Sequence, residues 1–196
     1  MKKLMFALLA VGLIALAIIP AACDKGTDPG AFSSYSLQGV TFSHPIAWID
    51  QTTETEQSMA EKEPNYSEYM EVAAWANPAD FSLLFAMSID FQELGMPKNY
   101  TMTESDKESF VSGVTGYMPT AMEKSTIVSQ GKTTINGQWA WQIEFSGDIK
   151  NVSAKGYMLT VISNDTVFMF MCTGQSSGWN SLKSTCDVVK ASIVFN

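Results

Sequence analysis

The sequence has 196 residues, with 12 Lys, no Arg, a single His and 20 carboxylate side chains, for a net charge of −8. An acidic chain without Arg lacks both the basic surface that nucleic acid needs and the planar forks that anionic ligands recruit, which argues against both classes of partner. A hydrophobic fraction of 46%, with five Trp, six Tyr and eleven Phe, marks a globular chain and excludes wholesale disorder.

The first 22 residues read MKKLMFALLAVGLIALAIIPAA and are followed by Cys23. Lys2 and Lys3 form a positive start, positions 4–19 an uncharged apolar run, and Ala21-Ala22 supply small residues before a cut. The segment resembles a bacterial lipoprotein signal peptide, although Pro20 stands where that pattern usually has Leu. The resemblance implies that residues 1–22 are removed and that Cys23 becomes the acylated first residue of the mature chain. Two or more acyl chains anchor stably where one binds only marginally. An uncleaved helical anchor is the competing reading. Residues 23–33 are polar, with Gly and Pro, and read as a flexible tether. Residues 34–196 then form a single globular domain.

Positions 35–37 and 40–43 read as short strands around Gln38-Gly39, with a break at His44-Pro45. Residues 50–68 are acidic and carry Pro64, which suggests a long loop or a broken helix. Positions 70–76 alternate as a strand, with Met70, Val72, Ala74 and Ala76 on one face. Residues 77–80 (NPAD) make a turn, and 81–91 the second arm of a hairpin. Thr103 and Asp106 open a helix carrying Phe110 and Val114, weakened by Gly113 and Gly116 and stopped by Pro119. Asn136-Gly137 is the clearest hairpin signal, between 125–135 and 138–146. In the second of these strands Trp139, Trp141, Ile143 and Phe145 share one face. Asn164-Asp165 marks another hairpin, whose second strand contains VFMFMC (167–172), apolar at every position and so covered on both faces. Trp179, Leu182, Cys186, Val189 and Ile193 repeat as an amphipathic closing helix. The sum is α+β, a central antiparallel β-sheet with helices packed on its faces.

The run GVTFSHPxxW (39–48), the paired strands about Asn136-Gly137, the VFMFMC strand and the closing ASIVF (191–195) resemble the PsbP-like fold group, which includes DcrB-type periplasmic lipoproteins. The resemblance covers about residues 35–196 and implies an α/β/α sandwich. It also implies a binding or assembly module without a shared catalytic set. No functional residue of the group carries over.

Residues 174–178 (GQSSG) fit the nucleophile-elbow spacing G-x-S-x-G around Ser176, between a strand and a helix. A Ser hydrolase needs a base, however, and His44 precedes Ser176 in the chain. A Gly/Ser loop, with Ser176 or Ser177 capping the helix, is the simpler reading. Met169, Met171 and Cys172 offer soft-metal ligands, but alternation separates Cys172 from the two Met, so they read as core. Once Cys23 is given to lipid, Cys172 and Cys186 remain, either bonded in an oxidising compartment or as two buried thiols. Glu61, Glu63, Tyr66, Glu68 and Tyr69 form the candidate partner surface. No catalytic set, metal site or cofactor is expected. The leading expectation is a non-enzymatic lipoprotein tethered through Cys23 to the bacterial cell membrane. It would face the extracytoplasmic space and bind an envelope protein or a small ligand. Small-ligand or divalent-cation binding is the second reading, and a hydrolase using Ser176 a remote third.

Overall fold

The computed structural model describes residues 31–93, 95–97, 100–163 and 165–196, with residues 117–121 described in backbone only. The expected signal peptide, Cys23 and most of the expected tether lie outside the described residues. The chain runs β1 (Phe32–Leu37), β2 (Val40–Pro45), β3 (Ile49–Asp50), α1 (Thr52–Lys62), a 3-10 turn (Tyr66–Glu68), β4 (Met70–Asn77) and β5 (Ser82–Asp90). It continues through α2 (Glu104–Ala121), β6 (Glu123–Ile135), β7 (Gln138–Ile149), β8 (Val152–Ile162), β9 (Thr166–Gln175), a 3-10 turn (Ser176–Gly178), α3 (Trp179–Ser192) and β10 (Val194–Phe195).

The turns set the topology. Asn136 and Gly137 both hold positive φ (46° and 82°), as the hairpin turn that matches strand twist requires. Lys150 and Asn151 do the same between β7 and β8 (49° and 65°) without a Gly, so the sequence carried no sign of that turn. Seven strands form one sheet in the order β3-β4-β5-β9-β8-β7-β6, with every neighbouring pair antiparallel. A smaller sheet has the order β1-β2-β10. This is the expected α+β sandwich.

Each face of the large sheet carries its own core. On one face Met59 of α1 and Phe110, Val111 and Val114 of α2 pack with Val72, Phe85, Met87, Ile143, Met158 and Met169. On the other, Leu182, Cys186 and Val189 of α3 and Val40 and Phe42 of β2 pack with Trp75, Leu84, Leu159, Phe168 and Phe170. The uninterrupted apolar run of β9 follows from this: Met169 and Met171 face one core, Phe168, Phe170 and Cys172 the other.

Of the two readings of the 50–68 segment the structure shows the broken helix, interrupted near Pro64 because the residue before a proline is pushed out of helical geometry; Glu63 sits at φ −138°, ψ 88°. Several other local expectations are corrected. Pro119 does not stop α2, which runs on to Ala121. A proline so near the C-terminus removes one backbone bond from a helix that is about to end. β2 continues through His44 to Pro45, where Pro45 pairs with Phe32 at the sheet margin. Phe81 belongs to the turn before β5, at φ 56°. Neither Ser176 nor Ser177 caps α3: the 3-10 turn inserts Gly178 at that position, with no side-chain cap.

Candidate functional site

The N-terminus of α2 is held by a capping box. The Thr103 hydroxyl accepts the Asp106 N–H at 3.2 Å, and the Asp106 carboxylate accepts the Thr103 N–H at 3.0 Å. This aims Glu104, the first helical residue, across the sheet. Its Oε2 accepts from Lys132 Nζ of β6 at 2.6 Å and from the Trp139 indole N–H of β7 at 3.0 Å. Its Oε1 accepts from Lys107 at 3.2 Å. The two ammonium groups lie 5.9 and 5.7 Å from the Trp139 ring centroid, within cation–π range. The Lys132 and then the Lys107 contacts hold the Glu104 carboxyl down at about 2. Helix and sheet are thus tied at one end by a charged knot around an indole.

From that knot a cleft of about 660 Å³ runs between α2 and β6-β7. Glu108, Val111, Ser112, Thr115 and Gly116 line the helix side, and Gln130 and Trp141 the sheet side. Trp141 lies nearly parallel to Trp139, with centroids 6.2 Å apart and planes at 22°. Its indole N–H is buried and has no hydrogen-bond partner among the described residues. Thr115 spends its hydroxyl proton on the Val111 carbonyl at 2.7 Å, which leaves its oxygen free to accept. A flat group fits against the Trp141 ring, with hydroxyls and an amide at the margin. Period-two alternation places Trp139 and Trp141 on one face of β7, with nothing in it to show that part of that face stays open. The available signal was Gly116, a small residue that opens the helix side of the cleft.

The residues singled out from sequence lie elsewhere. Tyr66 and Tyr69 do not belong to a partner surface. They are 7% and 2% exposed and pack in the core beneath α1 and α2. The 3-10 turn after Pro64 points both rings inward. Burial, reinforced for Tyr69 by Glu63 and Glu68, pushes the phenols above their ordinary range. Glu61 and Glu68 stay exposed and Glu63 half-exposed. Neither the α2 cleft nor the groove beside Phe81 described below touches residues 50–70. Among the described residues no three His, Cys, Asp or Glu side chains gather as a metal would need.

Ser176 Oγ lies 2.9 Å from Ser153 Oγ, a hydroxyl and not a base. His44 stacks on Trp75, with centroids 4.3 Å apart and planes at 13°, and its Nδ1 faces the Pro45 carbonyl at 3.3 Å. No hydrogen bond joins the two residues. Gly174, the first glycine of the motif, has a packing reason: a Cβ there would come within 2.8 Å of Leu182 on α3 and of Ser82. Cys172 of β9 and Cys186 of α3 form a disulfide, with Cα atoms 6.3 Å apart.

No family model matches the sequence, and no curated protein matches it. Solved structures do resemble it. The cyanobacterial PsbP (CyanoP) of Synechocystis sp. PCC 6803 superimposes with a TM-score of 0.56 at 15% identity, over 90% of this chain and 99% of that one. A putative regulator of unknown function, PA94 of Pseudomonas aeruginosa, gives 0.48 at 10% identity over 85% and 99%. LpqN of Mycobacterium tuberculosis, involved in cell envelope biogenesis, gives 0.43 at 12% identity over 64% and 70%.

Proposed function

We propose that this chain is a non-enzymatic binding module, exported and anchored to the bacterial cell membrane by acylation of Cys23, which presents the Trp139–Trp141 cleft to its ligand. The observation that carries the binding half is the cleft of about 660 Å³ between α2 and the sheet, walled on the sheet side by the Trp141 ring. An aromatic wall with a few polar groups at its margin is the lining that small-ligand sites favour. The export half rests on the leader and Cys23, and gains support from the Cys172–Cys186 disulfide, a bond that persists outside the reducing cytoplasm. The PsbP-like scaffold is consistent with both but names no ligand.

Intact mass of the full chain purified from membranes tests the anchor: diacylglycerol and acyl additions on Cys23 are expected, and an unmodified Cys23 sinks it. Native mass spectrometry of the same material, with fluorescence of the remaining tryptophans against flat compounds, tests the cleft. The wild type should retain or respond to compounds that Trp141→Ala, which removes the aromatic wall, does not. Identical behaviour of the two proteins would rule out recognition through this cleft.

A further inference from the structure

One end of the sandwich carries apolar side chains that stay about half exposed among the described residues. The strand registers place there the start of β1, the end of β2, the residues leading into β3, the β4–β5 turn, the β7–β8 turn and the end of β9. Ile46 (58% exposed), Ile49 (45%), Phe81 (41%) and Val152 (45%) project from this end. They are four of the eight large apolar residues exposed among the described residues. Phe81 and Val152 border one groove of about 250 Å³ together with Ile149 and Lys150. Phe81 is held at φ 56°, a conformation that bulky residues rarely adopt and that costs strain wherever it is kept. Of the carboxylates at this end, Asp80 accepts the Ser82 N–H at 3.0 Å, Asp50 accepts the Thr52 N–H at 2.8 Å, and Asp148 pairs with Lys124 at 3.0 Å, while Glu123 lies exposed opposite Asp148 on β6.

The chain enters the fold at the same end. The Ile46 N–H donates to the Ala31 carbonyl at 3.0 Å, and Phe32 pairs with Pro45. Cys23 lies eight residues before Ala31. Even fully extended, that segment spans at most about 29 Å. A lipid on Cys23 therefore keeps this end of the domain near the bilayer and leaves the opposite end, with Asn136-Gly137 and Val194, far from it.

We infer that the apolar end formed by Ile46, Ile49, Phe81 and Val152 docks on the phospholipid bilayer that holds the Cys23 acyl chains, with Lys150 extended toward the phosphates. The inference rests on the lipid-anchor reading. It adds an orientation: the module stands on this end, with its strands rising from the membrane surface. A cationic stem beside apolar side chains is the arrangement that spans a headgroup boundary, its methylenes in the apolar layer and its charge in water.

The test uses the full-length lipoprotein reconstituted in nanodiscs of phosphatidylethanolamine and phosphatidylglycerol. p-Benzoylphenylalanine is placed singly at Phe81, Val152, Val188 or Val194, and the sample is irradiated. Lipid adducts are expected at Phe81 and Val152, several-fold above those at Val188 on α3 and at Val194 on the far end. Circular dichroism checks that each variant is folded, and Val152 serves as the second probe if position 81 does not tolerate the larger ring. Intact mass on the same sample reports acylation of Cys23. Acylated protein with equal adducts at all four sites, or with adducts at the apolar end to a second copy of the chain, overturns the docking and leaves the anchor standing. An unacylated Cys23 overturns both.

Discussion

The ring of Phe145 on β7 lies over Gly156, its partner on β8, and fills the space a side chain there would need. An aromatic ring covering a cross-strand glycine pins register, because a slip of one residue would drive the ring against a side chain. Gly156→Ala should therefore overpack the core by about 1–3 kcal/mol, seen as a lower urea midpoint. Combining it with Phe145→Leu should cost less than the two single changes added together. Strict additivity would show that the ring and the glycine are not coupled.

The Cys172–Cys186 bond closes a loop across 14 residues and ties α3 to the central strand. Both cysteines are fully buried. Removing the cross-link by Cys172→Ala with Cys186→Ala should lower stability by roughly 3 kcal/mol from loop entropy. Equilibrium unfolding with and without reductant checks this. A wild type whose midpoint ignores complete reduction would contradict it.

Glu104 gives the fold an acid limit of its own. Its carboxyl titrates near 2 in the folded protein against an ordinary 4.5, so the unfolded chain takes up its proton first as pH falls. The contribution is complete above pH 4.5 and is lost between 4.5 and 2. In acid titrations followed by circular dichroism, Glu104→Gln should lose less stability than wild type across that window. Because the knot is exposed, the contrast should shrink as salt is raised. Parallel curves at low salt would remove Glu104 from the account.

His44 acts in a different window. Burial against Trp75 holds its imidazole below the usual 6.5. The unfolded chain then binds a proton that the folded one refuses, so stability falls as pH drops below 6.5 and is unaffected above it. His44→Phe keeps a ring on Trp75 and removes the titration. It should match wild type near pH 8 and fall less steeply from pH 6.5 downward. Equal slopes in that range would mean that the ring protonates without penalty where it sits.

The sequence was most informative where one physical rule acts alone. Asn136-Gly137 announced its hairpin because positive φ at two successive residues demands such residues, and the apolar run of β9 announced a strand covered on both faces. It was least informative where tertiary contacts decide. Lys150-Asn151 turns the chain with no Gly because β7 and β8 are long enough to impose the turn between them. Tyr66 and Tyr69 sit among acidic residues and read as surface, yet the break at Pro64 turns both rings into the core. The cleft was half visible: period-two alternation put Trp139 and Trp141 on one face, but nothing local showed that α2 covers Trp139 and leaves Trp141 beside open space. Glu104 lies inside the helix start that Thr103 and Asp106 mark, and its reach to Lys132, 28 residues away, is a product of the fold.

The position of β9 has a consequence for timing. It lies between β5 and β8, and the strands that precede it, β3-β4-β5 and β6-β7-β8, are separate groups until it arrives. Synthesis has to reach residue 175 before the large sheet can close, and pairing β5 with β9 spans more than 75 residues. Such non-local closure is slow, because the loop entropy is lost before the contacts form. On the proposed export route that delay is useful. The nascent chain cannot close its core, and so stays able to thread a translocation channel, until the last strand of the large sheet has been made.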